Sequence, residues 1–143
     1  KLKNINFDFD IENHDQFDLV LCDVPCSGTG TWRRRPENII WLKNKELDKL
    51  KLNQNNILLN AAKLCKSGGR IVYITCSLLY DENELQIKSF LNNFKNFDIL
   101  NFREDIKKYF KKEIVKYNKY GLTLNPDVLN TDGYFISILK KIA

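Results

Sequence analysis

The sequence predicts an α/β fold in which parallel strands carry helices on both faces and an antiparallel strand closes the sheet. Two nearly continuous apolar runs, at residues 17–23 and 70–76, are typical of buried parallel strands. Between them lies a segment whose apolar residues recur every three or four positions, as in an amphipathic helix. Strand and helix therefore alternate along the chain, and this alternation indicates the fold class.

The first strand is predicted at residues 17–23, where the apolar run ends in an acid. The turn-forming residues PCSGTG follow at 25–30. A helix is predicted from Asn44, which can cap its first turn, to about Lys66. The glycines at 68–69 are a typical helix stop.

The second strand, at residues 70–76, is followed by a predicted helix over 81–93 whose acidic start suits the helix dipole. Residues 97–102 and 133–139 are predicted strands, and 104–119 is a basic amphipathic segment whose secondary structure stays open. The side chains expected to face inward from the second helix are Leu85, Ile87, Phe90, Leu91 and Phe94.

The composition indicates one folded domain. The chain has 143 residues, of which 43% are hydrophobic and 12% aromatic. No run of eighteen apolar residues occurs and the N-terminal residues lack the apolar core of a signal peptide, so a cytoplasmic protein without a membrane span is expected. Four scattered cysteines and a single histidine argue against a zinc site and for free thiols.

The charge pattern points to a polyanionic partner. The net charge is +5 at an isoelectric point near 9.0. Arg33, Arg34 and Arg35 form a triplet in a chain with only two other arginines, and guanidinium groups bind phosphates through two donors at once. The alternative is an exposed, solvated loop.

Two cysteines lie where predicted strands end. Cys26 follows the acid Asp23 and the rigid Pro25, and Cys76 ends the next strand. Adjacent parallel strands lie about 5 Å apart, so both thiols can face one pocket. The alternative for Cys26 is an ordinary turn that buries a small hydrophobe. Cys22 and Cys65 are assigned to the core.

Two thiols beside a carboxylate suit the methylation of carbon 5 of cytosine. This carbon is a poor nucleophile, but a thiolate added to carbon 6 makes the ring enamine-like and able to attack an electrophilic methyl group. A thiol with an ordinary pKa of about 8.5 is only slightly ionised at neutral pH, so the nucleophile needs help from its surroundings. A base must then remove the proton from carbon 5 before the thiol can leave.

The residues at 23–30 and 73–77, with Glu82, Asn83 and Glu84 after them, resemble two signature motifs of the Sun/Nop family of RNA cytosine-C5 methyltransferases. The bacterial branch that acts on small-subunit ribosomal RNA is the most similar. Residues 33–37 and 131–135 agree with the family pattern as well, and the resemblance extends from about residue 17 to 141.

This resemblance implies a function for each motif residue. Cys76 would be the nucleophile on carbon 6, and Cys26 would assist breakdown of the covalent adduct. Asp23 would orient the base and, with Pro25, contact S-adenosyl-L-methionine. RNA, expected to be ribosomal, would contact the residues of the first loop and the arginine triplet, namely Ser27, Gly28, Gly30, Arg33, Arg34 and Arg35.

The resemblance also implies that residues 1–143 are a partial domain, the C-terminal half of a Rossmann-like class I methyltransferase sheet. The family's glycine-rich cofactor loop and leading RNA-binding region have no counterpart before Phe17, and the chain contains no methionine. We expect a fragment that binds the cofactor weakly or not at all and exposes the edge of its first strand. The alternatives are an inactive remnant that only binds RNA or a partner chain, and a generic nucleotide-binding module.

Overall fold

The computed structural model describes residues 15–109, 115–127 and 131–142. Two helices dominate, α2 (Asn44–Leu64) and α3 (Glu84–Asn93), and two short ones are α1 (Asn38–Trp41) and α4 (Arg103–Lys107). Short 3-10 turns lie at Thr29–Thr31 and Tyr80–Glu82. The strands are β1 (Phe17–Asp23), β2 (Cys65–Thr75), β3 (Phe97–Ile99), β4 (Val115–Tyr117), β5 (Leu122–Leu124) and β6 (Tyr134–Lys141).

The strands form one mixed sheet in the order β1-β2-β6-β5-β4, with β3 paired to the far end of β6. Strands β1 and β2 are parallel, and β6 runs antiparallel between β2 and the shorter strands. The α/β class, the parallel pair and the closing antiparallel strand are therefore confirmed. Since β1 and β2 are parallel and β6 is antiparallel, the carboxyl ends of β1 and β2 lie at the same end of the sheet as the start of β6.

The core lies on one face of this sheet, where Ile71 and Tyr73 of β2 and Leu139 of β6 are fully buried. They belong to one hydrophobic cluster with Leu58 of α2 and Phe90 of α3. Both longer helices thus pack on the same face, whereas cover on both faces was expected.

The other face carries exposed apolar side chains. Leu19 and Leu21 of β1 are 57% and 64% exposed. Among the described residues β1 pairs with β2 alone, so the expected open strand edge is present.

The boundary between α2 and β2 differs from the prediction. The helix ends at Leu64 because the Lys141 ammonium donates to the carbonyl oxygens of Ala62 and Cys65, which replaces the next helical turn. The glycines at 68–69 lie inside β2, where the register with β1 shifts, and do not stop the helix. Asn44 is the first helical residue, and Lys43 occupies the cap position without a side-chain hydrogen bond.

The second helix and the strand after it are shorter than predicted, whereas the closing strand extends to Lys141. A 3-10 turn precedes α3, and the strand predicted at 97–102 ends at Ile99. Leu85 was expected to face inward but is 39% exposed, while Ile87 and Phe90 are buried. The segment 104–119, for which the sequence pattern predicted no definite secondary structure, contains most of α4 and all of β4. Its residues 110–114 lie outside the described part of the chain. Strand β5 was not predicted from the sequence.

No helix in the described part of the chain combines the length and apolar character that a membrane crossing requires.

Candidate active site

The two strand-end thiols meet at the edge shared by β1, β2 and β6. The sulfur atoms of Cys26 and Cys76 lie 3.2 Å apart, although 50 positions separate them in the chain. Backbone hydrogen bonds join the two loops on either side of this contact, from Val24 N to Ile74 O and from Gly30 N to Cys76 O. Both thiols are half-buried, so they are partly screened from water and still open to a ligand.

The contact makes the two thiols chemically different. The hydrogen bond from Cys26 lowers the pKa of Cys76 to about 7, although burial and the charges of Asp23 and Glu82 act in the opposite direction. The same hydrogen bond, together with burial, raises the pKa of Cys26 well above its ordinary value. These opposite pKa shifts favour Cys76 as the thiol that ionises first and Cys26 as the thiol that keeps its proton.

A buried carboxylate below the thiols organises both loops. Glu82 is fully buried and accepts hydrogen bonds from Ser27 and Ser77, each of which directly follows one of the two cysteines. Gln54 of α2 donates to the same carboxylate and to the carbonyl oxygen of Pro25. The sequence pattern did not predict this role for Glu82, because an acid in the first turn of a helix is also explained by the helix dipole.

The second loop has its own polar support. Thr75 donates to the side-chain oxygen of Asn83, and Asn83 donates back to the carbonyl oxygen of Ser77. The Tyr73 hydroxyl donates to the backbone carbonyl of Glu82. These buried bonds fold residues 75–83 back over the end of β2, so the position of Cys76 depends on side chains that follow it.

Glycines allow the first loop to approach β6 closely. Gly28 has a φ of 68°, a left-handed conformation that side chains rarely adopt. Gly30 is buried, and an added Cβ would lie 2.2 Å from the carbonyl oxygen of Gly133. Gly30 thus packs the first loop against the start of β6.

Asp23 and Pro25 lie on the exposed side of the first loop. Asp23 ends β1 and is close enough to Cys76 for its charge to oppose thiolate formation. The structure thus places the Asp23 carboxylate near Cys76, at the strand end where the sequence pattern predicted it.

The arginine triplet is exposed beside the start of β6. Arg34 is paired through two hydrogen bonds with Asp132, and this guanidinium holds the pKa of the Asp132 carboxyl below its usual range. Part of the positive charge is therefore already balanced within the protein.

The remaining two cysteines belong to the core, as predicted. Cys22 and Cys65 are 4% and 0% exposed, and burial raises the pKa of both thiols. Within the described residues, no cluster of three or more histidine, cysteine or acidic side chains could hold a metal ion.

Comparison with solved structures defines the class as a Rossmann-like methyltransferase domain. The crystal structure of PH0851 superimposes with a TM-score of 0.79 and 30% identity over 92% of this chain and 28% of that chain. NSun6 from Pyrococcus horikoshii, solved with SFG, gives a TM-score of 0.66 and 26% identity over 86% of this chain and 29% of that chain.

Residues 4–140 match the family described as 16S rRNA methyltransferase RsmB/F, and the chain belongs to this family. Ribosomal RNA small subunit methyltransferase B of Shewanella oneidensis is 36% identical over 128 residues, or 89% of this chain. The chain spans 28% of the length of that relative. The resemblance drawn from the two cysteine motifs is thereby confirmed at the level of the family.

Proposed function

We propose that this chain is the catalytic half of an enzyme that transfers a methyl group from S-adenosyl-L-methionine to carbon 5 of cytosine in ribosomal RNA. The observation that carries the proposal is the sulfur contact of 3.2 Å between Cys26 and Cys76, together with the lowered pKa of Cys76. The family match supports the reaction class and the kind of substrate.

In this mechanism the Cys76 thiolate adds to carbon 6 of the target cytosine. A pKa of about 7 leaves roughly half of the thiol ionised at neutral pH, compared with a few per cent for an ordinary cysteine. The neighbouring Cys26 keeps its proton and stabilises the thiolate before attack. It would then assist the elimination that releases Cys76 from carbon 6 after the carbon 5 proton has been removed.

The residues beside the thiols fit S-adenosyl-L-methionine in part. The exposed Asp23 carboxylate and Pro25 ring would hold it at the carboxyl end of β1, where open α/β sheets bind their ligands. When bound, the cofactor supplies an electrophilic methyl group. Among the described residues, only the loop after β1 combines glycines with a position at the carboxyl end of a parallel strand. One such loop offers few cofactor contacts, so we expect weak binding by this chain alone.

RNA would approach over the first loop and the arginine triplet. Arg33 and Arg35 are exposed, and Ser27, Gly28 and Gly30 belong to the loop that carries Cys26. Guanidinium groups contact phosphate oxygens and orient the strand without reading its sequence. The net charge of +5 favours the same partner.

A covalent trap tests the proposal without the cofactor. Small-subunit ribosomal RNA fragments in which 5-azacytosine replaces cytosine have a more electrophilic carbon 6 and lack the carbon 5 proton whose loss would release the enzyme. We expect an adduct that survives denaturing electrophoresis, is lost in Cys76→Ala and still forms, more slowly, in Cys26→Ala. Cys22→Ala, which changes a core thiol, is the control.

Two results would contradict the assignment. An adduct that depends on Cys26 and not on Cys76 would exchange the roles of the thiols. RNA binding without any adduct would favour the alternative of an inactive chain that only binds RNA.

A further inference from the structure

Glu82 is a fully buried carboxyl whose hydrogen bonds are unusually complete. One oxygen accepts from Ser27 N and Gln54 Nε2, both at 2.9 Å. The other accepts from the hydroxyls of Ser27 and Ser77, both at 2.5 Å. Burying a carboxylate without such donors would cost several kcal/mol, so the site is built around this group.

The donors of Glu82 come from three separate parts of the chain. Ser27 directly follows Cys26, and Ser77 directly follows Cys76. Gln54 reaches the site from α2 and also donates to the carbonyl of Pro25, on the other side of Cys26. One carboxylate therefore contacts the residue next to each thiol.

The geometry of Gln54 shows the cost of this arrangement. Its Nε2 serves two acceptors, while its Oε1 is buried without a hydrogen-bond partner among the described residues. A buried acceptor without a hydrogen-bond donor is destabilising. The amide is thus held in the orientation that supports the Cys26 loop.

We propose that Glu82 is the positioning residue that keeps Cys26 within hydrogen-bond distance of Cys76. The inference rests on the proposed function only in treating these two thiols as the reacting groups. Glu82 acts through Ser27 and Ser77, the residues that directly follow the two cysteines and donate to its carboxylate. Without the carboxylate, the two loops lose their common acceptor and the sulfur contact lengthens.

The pH dependence of Cys76 alkylation separates positioning from simple charge. The rate of reaction with iodoacetamide is measured on the Cys76 peptide by mass spectrometry across pH 5–10. If Glu82 acted only by its charge, both Glu82→Ala and Glu82→Gln would lower the midpoint, because a negative charge that opposes the thiolate is removed. Positioning predicts opposite results for the two variants.

In Glu82→Ala we expect the midpoint to rise from near 7, because the donor from Cys26 moves away. Alkylation at pH 7 should then slow by about fivefold for a rise of one unit and about fiftyfold for a rise of two. Glu82→Gln should keep the midpoint at or below the wild-type value, since its amide can bridge the same serines. The matched control is Asp81→Asn, which removes a charge from the neighbouring, half-exposed side chain.

Circular dichroism establishes that each variant is folded. If Glu82→Ala does not fold, the double variant Ser27→Ala/Ser77→Ala removes the hydroxyl donors and leaves the carboxylate in place, and a raised midpoint is again expected. A folded Glu82→Ala protein, or that double variant, with an unchanged or lowered midpoint would overturn the inference.

The alkylation test needs neither RNA nor cofactor, so its outcome is separate from that of the covalent trap. A wild-type chain without an RNA adduct, together with a raised midpoint in Glu82→Ala, would refute the proposed function alone. Adduct formation together with an unchanged midpoint in Glu82→Ala would refute the positioning role alone.

Discussion

Gly30 and Gly133 lie in direct backbone contact, with Gly133 N donating to Gly30 O at 2.9 Å. An added Cβ on Gly30 would also come within 2.9 Å of the Cys76 carbonyl oxygen. This contact joins the loop of the first thiol to the start of β6, next to the loop of the second thiol. A residue expected from the resemblance to contact RNA therefore also has a structural role.

Gly30→Ala should destabilise the protein by about 1–3 kcal/mol or more, because backbone atoms on two sides must move to admit the methyl group. Urea unfolding followed by circular dichroism measures the change. Gly68→Ala is the comparison, since its φ is 75° but no atom lies within 4 Å of the added Cβ, and it should cost about 1 kcal/mol. Equal costs for both variants would show that the contact with Gly133 has no steric consequence.

The pKa of Cys76 should depend on the proton of Cys26. Cys26→Ala removes the donor that stabilises the thiolate, so the pKa should rise from about 7 toward its ordinary value. Alkylation of Cys76 at pH 7 should then slow by about tenfold. Cys26→Ser retains a donor and should change the rate much less. A midpoint that stays near 7 in Cys26→Ala would mean that another group lowers the pKa.

The ion pair between Arg34 and Asp132 should limit RNA affinity. Asp132→Ala removes a negative charge and releases a guanidinium, so binding of single-stranded RNA should tighten. The slope of log K against log salt should steepen by about 0.7, the value for one additional phosphate contact. Fluorescence anisotropy at several salt concentrations measures both quantities.

Arg35→Ala should have the opposite effect, with weaker binding and a slope reduced by about 0.7. Lys95→Ala, a change at the C-terminal end of α3 near the opposite edge of the sheet, is the control and should leave both quantities nearly unchanged. Equal losses in Arg35→Ala and Lys95→Ala would argue against a specific RNA surface at the arginine triplet.

The exposed apolar side chains of β1 should affect self-association of the protein more than its free energy of unfolding. Leu21 is 64% exposed on a strand with one hydrogen-bonded neighbour in the described chain, so Leu21→Ser should change the free energy of unfolding by less than about 0.5 kcal/mol. Sedimentation at high protein concentration should show less self-association of this variant.

Leu58→Ala is the contrasting variant on the covered face. Its side chain is fully buried, and its truncation should cost about 2–5 kcal/mol. If Leu21→Ser were as destabilising as Leu58→Ala, the apolar face of β1 would have to be packed in solution.

Local patterns were sufficient for the framework of the fold. An apolar run that ends in Asp23 and another over residues 70–76 predicted two parallel strands, and the structure has both, the second ending at Thr75. The carboxyl ends of such strands necessarily share an edge, so the meeting of the two thiols followed from the sequence. Cys22 and Cys65 were assigned to the core from predicted places inside a strand and on a helix's apolar face. Both are buried, but Cys65 is the first residue of β2 and does not belong to the helix.

Elements that depend on distant partners were not predictable in this way. Strand β5 has three residues and exists because it pairs with β6. The helix α2 ends where Lys141, from the far end of the chain, binds its last carbonyl groups. A short pattern contains no information about a partner that lies 76 residues away.

The candidate site also has features that the sequence predicted and features that only the folded chain shows. The sequence by itself determined the family and the two candidate thiols, because motif residues are adjacent in the chain and their chemistry is intrinsic. Tertiary structure alone decided that the thiols of Cys26 and Cys76 share a hydrogen bond, that Glu82 joins their loops and that Asp132 pairs with Arg34. The physical reason is that a hydrogen bond requires about 3 Å between atoms, and only the folded chain brings such distant residues that close.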